Sequence, residues 1–203
     1  MFPGSTVYVV DDDPTVCLFL EEICKSAELN VETYSSAEEF LASYSSANMG
    51  CLLLDILMPD MNGLDLQDKL ATEGNKSPII FITGTADVET AVKALKAGAI
   101  DLIEKPLRPK VVLSTVKMAI EQDFHSRYEE MHHLQIEHRI TLLTPREREV
   151  MGWVIRGKSN KAIARILGIS GRTVEVHRRN VITKMQANSV ADLVSMVLKV
   201  KSL

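Results

Sequence analysis

Four short apolar runs punctuate the first half of the chain, Thr6–Val10, Cys51–Leu54, Ile79–Ile82 and Asp101–Ile103, and Val31–Tyr34 also reads as a strand. Cys-Leu-Leu-Leu and Ile-Ile-Phe-Ile are apolar at every position, which predicts strands covered on both faces, as in a parallel sheet. Between the runs the spacing of apolar residues turns helical. It predicts helices from after Val10 to about Glu28, over Ala37–Tyr44, over Leu64–Leu70 following Gly63, and over Val88–Ala97 with Gly98 as its stop. Pro109 sits where a first-turn proline opens a fifth helix. Repeated strand–helix units of this kind predict a doubly wound, five-stranded parallel α/β sheet.

Past this sheet the pattern changes. From Glu121 to Ile140 the chain is polar, with Phe124, Tyr128, Met131 and Leu134 at helical spacing. Two readings are open: a short dimer seam extending the fifth helix, or, more plainly, a solvated connecting helix. His125, His132, His133 and His138 fall here, but no pair is spaced i, i+4 and no cysteine assists, so helix-surface histidines are expected rather than a metal site. Beyond Ile140 every segment reads as helix. Thr144-Pro145-Arg146-Glu147 is a capping box with proline at its first helical position. It is followed by a stripe of Val150, Met151, Val154 and Ile155 that ends at Gly157. Then come a helix over Asn160–Leu167, a turn at Gly168-Ile169-Ser170, a helix from Gly171 to about Met185, and a last helix from Ser189.

Charge sharpens the division. The 203-residue chain carries a formal net charge of −4. Residues 1–121 hold 9 Lys/Arg against 19 Asp/Glu, residues 122–140 hold 2 against 4, and residues 141–203 hold 12 against 4. The expected organisation is therefore an acidic domain over 1–121, a helical linker over 122–140, and a basic domain over 141–203 whose excess of eight positive charges suits a polyanion. No stretch approaches the roughly 20 apolar residues of a membrane span. The opening Met-Phe-Pro-Gly-Ser-Thr lacks the basic and apolar regions of a signal peptide. Cys17, Cys24 and Cys51 fit no metal spacing and read as small core residues in a reduced cytoplasm.

Candidate chemistry sits at the carboxyl ends of the predicted strands. Asp11 and Asp12 follow the first, Asp55 the third, Thr83 the fourth and Lys105 the fifth. Ligands of open parallel sheets gather at that edge. Three carboxylates together repel one another unless a hard divalent cation joins them, and Mg2+ is the usual choice. A metal, an oxygen nucleophile, a hydroxyl and an ammonium are the parts that phosphoryl transfer uses.

Val-Val-Asp-Asp-Asp, Leu-Leu-Asp-Ile-Leu-Met-Pro-Asp-Met-Asn-Gly, Ile-Thr-Gly and Glu-Lys-Pro stand in that order over about residues 5–121. In this the chain resembles the receiver domain of two-component response regulators. The resemblance implies that Asp55 accepts a phosphoryl group from a partner sensor histidine kinase. It implies that Asp11 and Asp12 hold Mg2+ with Asp55 and the backbone carbonyl of Leu57. It further implies that Lys105 pairs with Asp55 and then with the phosphate, and that Thr83 swings its hydroxyl onto it. Asp13, before Pro14, is expected only to cap the first helix. Two positions depart from the pattern: Leu102 stands where many receivers carry an inward-turning aromatic switch residue, and the apolar Leu57 cannot position attacking water. A rival reading takes Asp11-Asp12-Asp13-Pro14-Thr15 as the Asp-x-Asp-x-Thr of haloacid-dehalogenase-like, Mg2+-dependent phosphatases, with Asp11 as nucleophile. It leaves Asp55 and the basic half unexplained, and the segment directly after Lys105 reads Pro-Leu-Arg-Pro-Lys where such enzymes need an acidic pair.

Leu-Thr-Pro-Arg-Glu-Arg-Glu-Val-Met, Gly-Lys-Ser-Asn-Lys-Ala-Ile-Ala and Thr-Val-Glu-Val-His-Arg-Arg-Asn-Val-Ile-Thr-Lys-Met cover the basic half. They resemble the helix-turn-helix domain of the LuxR/NarL group, in its FixJ-type subgroup. On the helix from Gly171, Val174, Val181 and Met185 share one face, while Arg172, Glu175, Val176 and Arg179 share another. The second face is expected in the major groove, with Arg179 reading guanine, Glu175 cytosine and Val176 a thymine methyl. Thr173, His177, Arg178, Lys184, Lys158 and Asn160 are expected phosphate contacts. The last helix shows apolar residues on two predicted faces, Val190/Val194/Val197 and Leu193/Met196/Val200, and one of them suggests a homodimer seam. Together the resemblances imply a cytoplasmic promoter-binding regulator rather than an enzyme. Its implied partners are a histidine kinase, promoter DNA, RNA polymerase and, on phosphorylation, a second copy of the chain.

Overall fold

The computed structural model describes residues 4–45, 48–84 and 88–201. The first three residues, part of the stretch examined for a signal peptide, lie outside them. The described residues divide into two units with the boundary between Arg127 and Tyr128, within the stretch predicted as linker.

In the first unit β1 (Thr6–Val10), β2 (Asn30–Tyr34), β3 (Gly50–Asp55), β4 (Ile79–Thr83) and β5 (Asp101–Glu104) form one sheet in the order β2-β1-β3-β4-β5, with every pairing parallel. Helices α1 (Pro14–Ser26), α2 (Ala37–Ser43), α3 (Gly63–Thr72), α4 (Val88–Lys96) and the start of α5 (Pro109–Thr141) alternate with the strands. The apolar runs behave as their composition demands. β3 and β4 are buried at every residue, and successive side chains feed two separate cores. One holds Leu52, Leu54 and Phe81 with Tyr8 and Phe40; the other holds Leu53, Ile80 and Ile82 with Leu20, Val112 and Val116. Cys24 and Cys51 lie in the second core, where burial pushes both thiols up, that of Cys24 to about 11. α1 stops before the predicted Glu28, which instead adopts a left-handed φ of 57°.

The second unit is helical: the end of α5, then α6 (Pro145–Ile155), α7 (Asn160–Leu167), α8 (Gly171–Met185) and α9 (Val190–Lys201). Ile136, Val150, Val154, Ile163, Val174, Val181, Met185, Leu193 and Val197 make its core. The capping box at α6 forms as predicted, with the Thr144 hydroxyl accepting from the Glu147 N–H and the Glu147 carboxylate accepting from the Thr144 N–H. Glu147 is buried, and Lys184 bonds the same carboxylate at 2.7 Å. Burial alone would raise this carboxyl, but hydrogen bonds from Lys184, Thr144 and Asn180 outweigh it and hold it at about 2.

Two expectations change. Val197 does not belong to an outer face of α9: with Leu193 it is fully buried, and Met196 and Val200 pack beside them. The exposed apolar residues of α9 are Val190 and Leu198, with Val194 half-buried between them. The stretch 122–140 is also not solvated throughout, since Asp123 and Ile136 are buried while Tyr128, Met131 and Leu134 are exposed. Among the described residues no helix is long and apolar enough to cross a membrane.

Candidate functional site

The strand order reverses between β1 and β3, and in sheets of this kind the crevice at the carboxyl end of that pair receives the ligand. Asp11 directly follows β1 and Asp55 ends β3. Both side chains are buried, and Lys105, following β5, bridges them: its Nζ donates to Asp55 Oδ1 at 2.8 Å and to Asp11 Oδ2 at 3.0 Å. The second oxygen of Asp55 accepts the Leu57 backbone N–H at 2.8 Å, and Asp11 Oδ1 accepts the Asp13 N–H at 2.9 Å. Thr83 is buried at the end of β4, and its carbonyl accepts the Lys105 backbone N–H at 2.8 Å. Backbone pairing and side-chain chemistry thus place carboxylate, hydroxyl and ammonium at the ends of adjacent strands.

The electrostatics follow from burial. It raises the Asp11 carboxyl, and the Asp55 charge adds to the rise, against hydrogen bonds from the Asp13 N–H and Lys105. Burial also works against the Lys105 ammonium, but its two carboxylate partners outweigh this and hold its pKa above the ordinary lysine value. The pocket therefore gathers more negative charge than one lysine offsets. Asp12 is exposed and borders an open cleft of about 540 Å³ that Asp11, Cys17, Leu18 and Tyr34 also line. Asp13 does cap α1, accepting the Thr15 N–H at 2.8 Å.

Among the described residues, no three His, Cys, Asp or Glu side chains converge as a ready metal cluster. The donor set still fits Mg2+, which binds through one or two carboxylates and keeps several waters. The excess charge at Asp11 and Asp55 is the feature that calls for a cation. The loop beyond Asp55 is shaped for this edge by Gly63. A Cβ there would lie 2.2 Å from the Asp55 carbonyl oxygen, so the last residue of Met-Pro-Asp-x-x-Gly must be glycine for the loop to close against the strand. Leu57 is well exposed, and Leu102 is half-buried on β5, packed on the Leu52/Phe81 core.

In the second unit Gly168 caps α7 in the left-handed region, with φ 65°, and Ser170 caps α8. The short turn 168–170 joins α7 to α8 in the order of a helix-turn-helix. Arg172, Glu175, Val176 and Arg179 are all exposed on α8, away from the buried Val174, Val181 and Met185. Thr173 and Lys158 are exposed, Asn160 and Arg178 are half-buried, and the Thr173 hydroxyl is 2.8 Å from that of Ser170. His177 is half-buried and turns Nδ1 inward, where it has no hydrogen-bond partner. Lys184 also has a structural role that its predicted phosphate contact did not include. Its ammonium bonds the buried Glu147 carboxylate at 2.7 Å and the Leu142 carbonyl at 3.3 Å, so it ties α8 to the start of α6. Two polar residues of structural weight, Asp123 and Arg127, were not singled out from sequence; their i, i+4 spacing was the one available signal.

Comparison with known proteins agrees with both halves. Residues 7–117 match the response regulator receiver domain, and residues 141–197 match the luxR family of bacterial regulatory proteins. The response regulator protein TodT of Pseudomonas putida is 40% identical over 198 residues, covering 98% of this chain and 87% of its own. The transcriptional regulatory protein FixJ of Bradyrhizobium diazoefficiens is 38% identical over 193 residues, covering 95% and 94% respectively. Among solved structures, the response regulator StyR is similar with a TM-score of 0.88 and 39% identity, covering 97% of this chain and 99% of that one. A receiver fold with an aspartate–lysine edge, an exposed recognition helix and relatives of this identity over nearly the whole length lead to one assignment: the chain belongs to the two-component response regulators that join a receiver domain to a LuxR-type DNA-binding domain.

Proposed function

We propose that the chain is a phosphorylation-controlled promoter-binding regulator, with Asp55 as phosphoacceptor and α8 as reading helix. The observation that carries this is the Lys105 ammonium bridging Asp55 and Asp11 at the sheet's switch point, in a chain whose basic half presents a separate recognition face. An Asp55 oxygen attacks phosphorus, and the leaving group of the donor departs with the electrons of the broken bond. The Leu57 N–H and Lys105 orient the carboxylate for this attack. Lys105 then offsets charge on the transferred phosphoryl oxygens, and the Thr83 hydroxyl bonds one of them. Asp11, Asp12, Asp55 and the Leu57 carbonyl are the groups that would hold Mg2+. When bound, the ion neutralises charge that builds between carboxylate and phosphate.

The domain limits we adopt are a receiver over 1–121 and a DNA-binding domain over 141–203, with 122–140 joining them. The donor is a sensor histidine kinase, and the output is promoter activation through RNA polymerase, carried out in the cytoplasm. The exposed Val190 and Leu198, with the half-buried Val194 between them, support a homodimer on phosphorylation, which matches a two-fold operator. The competing phosphatase reading has no observation in its favour: the segment around Asp11 matches as a receiver, along with the rest of residues 7–117.

Arg179 tests the DNA half. Arg179→Ala is expected to weaken binding to the chain's own promoter fragment by about 1–3 kcal/mol, roughly 5- to 150-fold, and to relax preference at one base position. Lys158→Ala should weaken all sequences alike and reduce the salt slope by about one. Fluorescence-anisotropy titrations across salt concentrations measure both. Equal losses on specific and random DNA for Arg179→Ala would remove it from base reading.

A further inference from the structure

The edge of the sheet opposite Asp55 carries a polar cluster that the phosphoacceptor chemistry does not use. Helix α5 packs its apolar residues Val112, Val116, Ala119 and Ile120 into the receiver core, and Asp123 follows, buried. Asp123 Oδ2 accepts the Gly50 backbone N–H at 2.9 Å, and both its oxygens accept Arg127 Nε at 2.9 Å. Arg127 Nη2 donates to the Asn48 carbonyl at 2.8 Å and to the Ser77 hydroxyl at 3.2 Å. Asn48 and Gly50 lead into β3, and Ser77 leads into β4. One turn of α5 is therefore bonded to the entrances of the two strands whose far ends carry Asp55 and Thr83.

The chemistry of the cluster is unlike a simple staple. Burying a carboxylate costs several kcal/mol unless it is paired and hydrogen-bonded, and removing one partner exposes that cost. An apolar side chain would anchor the helix without it. What the charged cluster adds is direction: the bonds exist at one placement of α5 against the strand entrances and are lost at others. β3 is buried at every residue and spans roughly 17 Å at about 3.3 Å per residue, so close packing moves it as a unit. The helix continues beyond the cluster to Thr141.

We propose that Asp123 and Arg127 form a latch that passes the state of the phosphoacceptor edge, through β3 and β4, to the continuing part of α5. This inference rests on the receiver reading above. Both are positioning residues, since the bonds they make lie at the edge opposite the one where the phosphoryl group binds.

The test is hydrogen exchange on the full chain with and without beryllofluoride plus Mg2+ as phosphoryl mimic. The proteins are wild type, Asp123→Asn, Arg127→Lys, Arg127→Gln and the Asp123→Asn/Arg127→Gln pair. Asparagine still offers Gly50 an acceptor, and lysine keeps the charge, so folded variants are at hand; thermal melting of each is recorded alongside. In wild type the mimic is expected to change exchange both around 55–58 and over 121–130. In the variants the first response persists and the second is lost. The apparent affinity for the mimic should shift by about fivefold or more, because coupling between two sites is reciprocal. The double variant should lose no more than the worse single. A structural staple alone would lower the melting temperature and leave both responses intact, which overturns the latch. So does a wild type that responds at 55–58 but not at 121–130. A wild type that responds at neither segment brings down the receiver reading, and the latch with it.

Discussion

Asp55→Asn is expected to abolish phosphoryl uptake from a small phosphodonor with Mg2+, while leaving the receiver at least as stable as wild type. The amide has no nucleophilic oxygen anion, so no acyl phosphate forms. Stability should hold because the substitution removes one of two buried carboxylates that share a single ammonium. Lys105 keeps Asp11 as a partner, and the Leu57 N–H still finds an amide oxygen. Intact-protein mass spectrometry detects the phosphoryl group, and hydroxylamine lability identifies it as an acyl phosphate. Peptide mapping of the wild type should place it within 50–63. A label that persists in Asp55→Asn and maps to Asp11 would instead revive the phosphatase reading.

The second large effect belongs to Gly50→Ala, which should destabilise the receiver by at least about 3 kcal/mol. Gly50 has φ 144°, and a Cβ there would lie 1.8 Å from the Thr6 carbonyl oxygen on the paired strand β1. Thr6 is backbone and cannot step aside without unzipping β1 from β3. Gly74 is the control: its φ of 75° is also positive, but a Cβ there meets open space. Gly74→Ala should cost only about 1–2 kcal/mol. Urea unfolding followed by far-ultraviolet circular dichroism compares the variants. The single tryptophan, Trp153 on α6, reports the helical unit by fluorescence. For Gly50→Ala, an early dichroism transition with a wild-type tryptophan transition is expected. Wild-type stability in both signals would mean that the Gly50–Thr6 approach is not as close as described.

Where local chemistry dictates structure, the sequence was sufficient. β3 and β4 are apolar at nearly every position because both faces are covered, and that pattern has no other ready meaning. The capping box of α6 and the turn at Gly168 are written in adjacent residues. Asp55, Lys105 and Asp11 were legible because each stands at a strand end, and topology does the rest. Lys184 was not legible. A lysine near the end of a recognition helix looks like a phosphate contact, and only tertiary packing reveals Glu147 beside it. Asp123 was hidden for the same reason: an acid in a polar helical run looks solvated, and besides Arg127 its partner is the backbone N–H of Gly50, far away in the chain. The phase of α9 was ambiguous because apolar residues cover more than one stripe, and packing on α6 and α8 selects Leu193 and Val197 for the core.

The most direct test of the account is binding to the chain's promoter fragment with and without small phosphodonor plus Mg2+, for wild type and Asp55→Ala. Phosphodonor is expected to tighten wild-type binding by about fivefold or more and to leave Asp55→Ala unchanged. Equal binding by both proteins in every condition would contradict the claim that Asp55 controls the DNA-binding half.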